Sequence, residues 1–166
     1  MITLKPITIL SDAMPECIAL DLPEEKTEDE QVFSNALTLA CAHGYASEEK
    51  IWDCYAIYDN DTMMGLISYN YFIDDEVYKE TCYRIRPFAL DVAYAGKGFE
   101  IEALKLIFEI IKTKPYGEAD GCFITYDPDV EADMIPIYTD AGFVTTDLTW
   151  DAEDPDCKHV IARLCI

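Results

Sequence analysis

Gly96, Lys97 and Gly98 stand where a strand-like run gives way to a helix-like one. A strand entering a helix through such a loop presents free backbone N–H groups and the positive end of the helix dipole to an anion. Lys97 adds a cation where a phosphate would lie. The same two glycines also suit a tight strand-to-helix turn on steric grounds alone. Tyr69 and Tyr71, two residues apart, share one face of a strand and line either a pocket or a core. The seven cysteines are scattered and never spaced as CxxC, which speaks against a zinc site or a disulfide framework and reads as reduced packing residues. A thiol nucleophile needs a histidine base nearby, and the chain offers His43 and His159 alone.

The elements that must hold these residues follow from periodicity. Ile2 to Leu4 alternates as a short strand, and a helical stretch then runs to about Leu20, before Pro23 and the acidic segment Glu24 to Glu30. Ser34 caps a second helix through Cys41, with Gly44 past its end. Trp52–Tyr58 and Met63–Phe72 form a hairpin around Asp59-Asn60-Asp61-Thr62, and Asp74-Asp75-Glu76 makes the next turn. Tyr83–Val92 is a third long strand in which Pro87 predicts a bulge or an unpaired stretch. Beyond the glycine loop, Ile101, Leu104, Ile107, Phe108 and Ile111 recur at helical spacing up to Lys114-Pro115. A buried strand over Cys122–Tyr126, a short helix over Met134–Ala141 ended by Gly142, and a final hairpin from Phe143–Trp150 to Lys158–Leu164 complete the order. That hairpin leaves an edge strand that a second copy of the chain could cover, so a homodimer is one expectation.

With 166 residues, 51% of them apolar, the chain has the size of a single domain over 1–166 with one substantial core. No apolar run approaches the roughly 18 to 20 residues that span a bilayer, and Met1 to Leu10 lacks the features of an export signal, so a cytoplasmic location without membrane contact is expected. A formal charge of -21 repels phosphate backbones, which excludes nucleic acid as an expected partner and favours cationic ones. Charge alone also fits a protein kept soluble by its acids, or an acidic mimic of nucleic acid that sequesters a basic protein.

The order of elements and the wording of several stretches resemble the GNAT N-acetyltransferases, and within them the bacterial spermine/spermidine (polyamine) branch. The stretches are Ser34-Asn35-Ala36, Ala56-Ile57-Tyr58-Asp59, Phe88-Ala89-Leu90-Asp91, Gly96-Lys97-Gly98-Phe99, Ala103-Leu104-Lys105, and Tyr138 through Gly142-Phe143. The resemblance implies an α/β (α+β) fold, a central mixed sheet of about seven strands flanked by about four helices. It also implies acetyl-CoA as co-substrate, lying between two splayed parallel strands. Its pantetheine would pair with the backbone of Ala89, Leu90 and Val92. Its pyrophosphate would rest on Gly96, Lys97, Gly98, Phe99, Glu100 and Ile101. Tyr138 would protonate the departing thiolate. A small cationic amine, a polyamine among the candidates, would meet Glu24, Glu25, Glu28, Asn35, Tyr69 and Tyr71. No metal is implied.

The chain departs from the family wording at Ala95 and Glu100, the two ends of the loop, and at Glu131 and Met134 before Tyr138. A carboxylate at a helix start favours the helix by ~0.3 to 1 kcal/mol, yet Glu100 would compete for the N–H groups that a pyrophosphate uses. The alternative is therefore a GNAT-fold protein that has lost catalysis and serves as a binding or regulatory module, with weak or no CoA binding.

Overall fold

The computed structural model describes residues 1–7, 14–22, 52–129, 131–150 and 158–166, and its strands follow the β-branched and aromatic runs of the sequence. β1 (Ile2–Pro6) is followed by the short helix α1 (Met14–Ala19). β2 (Trp52–Asp59) and β3 (Thr62–Phe72) form the expected hairpin, turning at Asn60, whose φ of 53° suits a residue tolerant of the left-handed region. β4 (Cys82–Leu90) leads through the glycine loop to α2 (Phe99–Ile111) and on to β5 (Gly121–Tyr126). A 3-10 turn (Ala132–Met134) precedes α3 (Ile135–Asp140), and β6 (Val144–Thr149) and β7 (Val160–Cys165) close the chain.

These strands make one seven-stranded sheet in the order β1-β2-β3-β4-β5-β7-β6. All neighbours are antiparallel except β4 and β5, which run parallel and therefore need the crossover that α2 supplies. The α/β architecture and the strand number match the sequence-based expectation. Three α-helices are present among the described residues, and the helix expected over Ser34 to Cys41 lies outside them. No helix of the described residues is long and apolar enough to cross a membrane.

Both faces of the sheet are covered, by different elements. On one face, α2 turns Ala103, Leu104, Ile107, Phe108 and Ile111 into a cluster with Ile2, Ile57, Ile67, Ile85, Ile124 and Ala162. On the other, α1 contributes Cys17 and Leu20 to a cluster with Cys54, Ala56, Tyr58, Met63 and Leu66. A third cluster of Tyr78, Cys82, Phe123 and Ile161 lies on the α1 face farther along the sheet, where Arg84 stands over Phe72 and Trp150. Cys17, Cys54, Cys82 and Cys122 are all buried and free. Burial pushes the Cys17 thiol up to about 11 and the Cys54 and Cys82 thiols to about 12, far from thiolate nucleophiles at neutral pH.

The irregularity expected at Pro87 is a bulge. Between the pairs Ile67–Phe88 and Tyr69–Ile85, β4 carries Arg86 and Pro87 opposite the single residue Ser68. Ser68, fully buried, donates from Oγ to the Arg86 carbonyl over 2.7 Å, a side-chain hydrogen bond at the bulge itself. Ser68→Ala removes that hydrogen bond from a buried site; the expected loss is about 1 to 2 kcal/mol in urea unfolding, with an unchanged m-value.

Candidate functional site

β4 and β5 pair only from Cys82–Gly121 to Arg84–Phe123. Beyond that point β4 stays with β3 as far as Leu90, whereas β5 stays with β7 along its whole length, so the two parallel strands part. Among the described residues, no residue of β4 after Arg84 is paired with β5. The Arg86 side chain reaches across, its Nη1 3.4 Å from the Thr125 carbonyl. Ala89 is half-buried at this opening and Leu90 is buried in the α2 core. Val92 corrects the sequence reading. β4 ends at Leu90, and the Val92 N–H already donates to the Asp21 carbonyl over 2.8 Å. Asp91 reinforces this tie by accepting from the Asp21 N–H at 2.8 Å and the Ala93 N–H at 2.9 Å.

Gly96 and Gly98 have φ of 73° and 90°, and among the described residues no heavy atom beyond their chain neighbours lies within 4 Å of where either would carry a Cβ. Conformation rather than crowding thus demands glycine here, and the space beside the α2 N-terminus is open. Gly98 is the N-cap residue and, lacking a side chain, caps nothing. Lys97 is folded back, its Nζ donating to the Ala93 carbonyl over 2.6 Å near the Tyr94 ring.

Glu100 is hydrogen-bonded to the loop. Its Oε1 accepts the Gly96 N–H at 2.6 Å, and its side chain is only 3% exposed. Its Oε2 is buried and accepts no hydrogen bond from the described residues. The cause is helical phase. The core-facing stripe of α2 is Glu100, Ala103, Leu104, Ile107, Phe108 and Ile111, so Glu100 points inward at its first position. Ile101, expected on that stripe, is half-buried beside it, as is Phe99.

Tyr138 sits on α3, with Pro136 tolerated in its first turn. Its ring is 5.5 Å from that of Tyr126 at the end of β5 and meets Phe143 edge-on at 6.3 Å. Burial, then the Glu131 carboxylate to which its hydroxyl is hydrogen-bonded, push this phenol well above the usual tyrosine range, with Arg86 pulling the other way. Glu131 also accepts the Asp127 N–H at 3.1 Å. Tyr138, Glu131 and Arg86 thus act on one another where the strands part. Sequence reading had singled out Tyr138 and had marked Glu131 only as a departure. Nothing in the sequence pointed to Arg86 except its place beside Pro87.

Tyr69 and Tyr71 share one face of β3, and of the two alternatives, pocket or core, that face is core. Both fall in the α2-face cluster, while α1 packs on the opposite face. Tyr69 is fully buried and donates to Asp53 Oδ2 over 2.6 Å, in ring contact with Tyr55, Tyr83 and Tyr116. Tyr71 donates to the Glu118 carbonyl at 3.0 Å and packs on Tyr83 at 4.9 Å. The Tyr71 hydroxyl thus clamps the segment after α2 onto the sheet, while that of Tyr69 ties β3 to β2. Glu24, Glu25, Glu28 and Asn35 lie outside the described residues.

No family model and no curated protein matches the chain by sequence. Solved structures do match it by shape. The ribosomal-protein-S18-alanine N-acetyltransferase from Escherichia coli superposes with a TM-score of 0.67 at 13% identity, covering 100% of this chain and 94% of its own. The PaiA N-acetyltransferase from Thermoplasma acidophilum, in complex with coenzyme A, gives 0.67 at 12% identity, covering 100% and 99%. A GNAT family acetyltransferase from Elizabethkingia anophelis with acetyl-CoA bound gives 0.62 at 15% identity, covering 99% and 98%. At such identities the likeness establishes the fold, which is that of the GNAT acetyltransferases, and it does not single out a polyamine branch.

The Asp91 tie holds the start of the loop against the end of α1. Asp91→Ala removes two carboxylate hydrogen bonds at a partly exposed site, worth about 1 kcal/mol together. Amide exchange at Asp21 and Ala93 is then expected to quicken about fivefold, with core amides of β3 unchanged.

Proposed function

We propose that the chain is an acetyl-CoA-dependent N-acetyltransferase whose acceptor is a small cationic amine, with polyamines as the first class to test. The observation that carries this reading is the parting of β4 and β5 beside a buried tyrosine, on a fold shared with structures that hold coenzyme A or acetyl-CoA. The residues fit such a donor. The edge of β4 at Ala89 and Leu90, past the end of its pairing with β5, suits the amides of a pantetheine arm, and the loop at Gly96 and Gly98 suits a phosphate. When bound, acetyl-CoA supplies a thioester whose acetyl group an amine can take.

Tyr138 then serves as general acid. Its raised pKa keeps the phenol protonated throughout the neutral range, so the proton is available when the C–S bond breaks and the new N–C bond forms. Glu131, hydrogen-bonded to that phenol, is a base able to accept the proton that the amine sheds. Taking it up neutralises the carboxylate, and the phenol loses one of the influences that hold its own proton. Acid and base steps are thereby coupled through a single hydrogen bond. The acceptor class rests on electrostatics, because a chain of charge -21 concentrates cations at its surface.

Calorimetric titration with acetyl-CoA, followed by assay of thiol release against a panel of diamines, polyamines and amino-terminal peptides, tests the reading. Binding together with amine-dependent thiol release is expected, with kcat/KM for polyamines falling as salt rises. No detectable binding at millimolar acetyl-CoA would sink it. Tyr138→Phe is expected to lower kcat by about 10²- to 10³-fold with little change in KM. Because the phenol's pKa is raised, the wild-type rate should show no alkaline fall from Tyr138 below about pH 10.

A further inference from the structure

Glu100 places a negative charge at the N-terminus of α2, where the helix dipole and the loop amides are arranged for an anion. An ordinary capping carboxylate bonds the N–H groups of its own first turn or of the N-cap residue. Glu100 instead reaches back past the cap, Gly98, to the N–H of Gly96, while the cap position itself makes no side-chain bond. The carboxylate is satisfied at one oxygen only. Oε1 holds the Gly96 N–H, and Oε2 is buried without a hydrogen bond from the described residues. Lys97, the nearest cation in sequence, is turned onto the Ala93 carbonyl instead.

We propose that Glu100 is a built-in competitor for the diphosphate of the acyl donor, and that the donor binds by displacing its carboxylate from the Gly96 N–H. This rests on the acetyltransferase reading and adds a regulatory residue to it. The exchange is close to balanced. On leaving, the carboxylate gives up one hydrogen bond and returns its unsatisfied oxygen to water, while a phosphate oxygen takes over the Gly96 N–H. Glu100 is the first member of the buried stripe, at the very end of the helix, so its carboxylate can leave Gly96 while Ala103, Leu104 and Ile107, one turn and more further on, stay packed. The competition acts only on the phosphate end of the donor. The pantetheine end meets β4, where Glu100 has no part.

The test compares dissociation constants for acetyl-CoA and for S-acetylpantetheine, which lacks the diphosphate, in the wild-type chain, Glu100→Ala and Glu100→Gln. Removing the carboxylate is expected to tighten acetyl-CoA binding by about tenfold, a reasonable size for a single like charge beside a phosphate once solvent screens it. Glu100→Gln keeps the shape and an acceptor oxygen but removes the charge, and should give a smaller gain. Binding of S-acetylpantetheine should stay the same in all three. A weaker or unchanged affinity for acetyl-CoA in both folded variants assigns Glu100 a capping role and overturns the proposal, as does an equal gain for both ligands. If neither ligand binds any of the three proteins, the acetyltransferase reading falls and takes this inference with it.

Discussion

The parallel junction of β4 and β5 is the constraint from which the rest of the molecule follows. Only Cys82, Tyr83 and Arg84 are in register with β5. Past them each strand obeys a different partner. β5 is bound to β7 through all six residues from Gly121 to Tyr126, and β4 is bound to β3 through a bulge at Arg86 and Pro87 that increases local twist. The sheet is in effect two antiparallel halves, β1 to β4 and β5 to β7, joined at one end and parted at the other. An open end of this kind exposes strand backbone inside a folded domain, which ordinary sheets avoid.

Holding such halves together requires a brace that touches both, and α2 is that brace. Its stripe packs on Ile57, Ile67 and Ile85 from one half and on Ile124 and Ala162 from the other. At the joined end, the hydroxyls of Tyr71 and Tyr83 on the Glu118 and Gly117 carbonyls, with the Tyr69 ring against Tyr116, bind the segment that leaves the helix to the sheet. At the parted end, polar groups replace apolar ones. Arg86 bridges toward Thr125, Glu131 holds Tyr138, and Glu100 holds the loop. Buried polar groups of this kind are costly in a plain core, and here they collect at the parted end of the sheet.

Much of the fold was legible because periodicity is local. The strands, the β2–β3 hairpin, the amphipathic α2 and the bulge at Pro87 each follow from neighbours in sequence and from the stereochemistry of single residues. The glycine loop was legible for the same reason, since Gly96 and Gly98 do adopt positive φ between strand and helix. Alternation could tell that Tyr69 and Tyr71 share a face, but not which one. Both faces of this sheet are covered, by α1 on one side and α2 on the other, and either would accept two tyrosines.

The sequence by itself determined the elements, their order and the residue types at the loop. Tertiary structure alone decided which groups meet. Arg86 and Glu131 act on Tyr138 because a bulge and a parting of strands bring three distant segments together. Glu100 faces the loop because six positions of α2 share one phase, and whether a carboxylate in that phase lies outside or inside depends on where the helix sits. Pattern along the chain is set by dihedral angles within a few residues, whereas contacts across the sheet are set by packing that no short window contains.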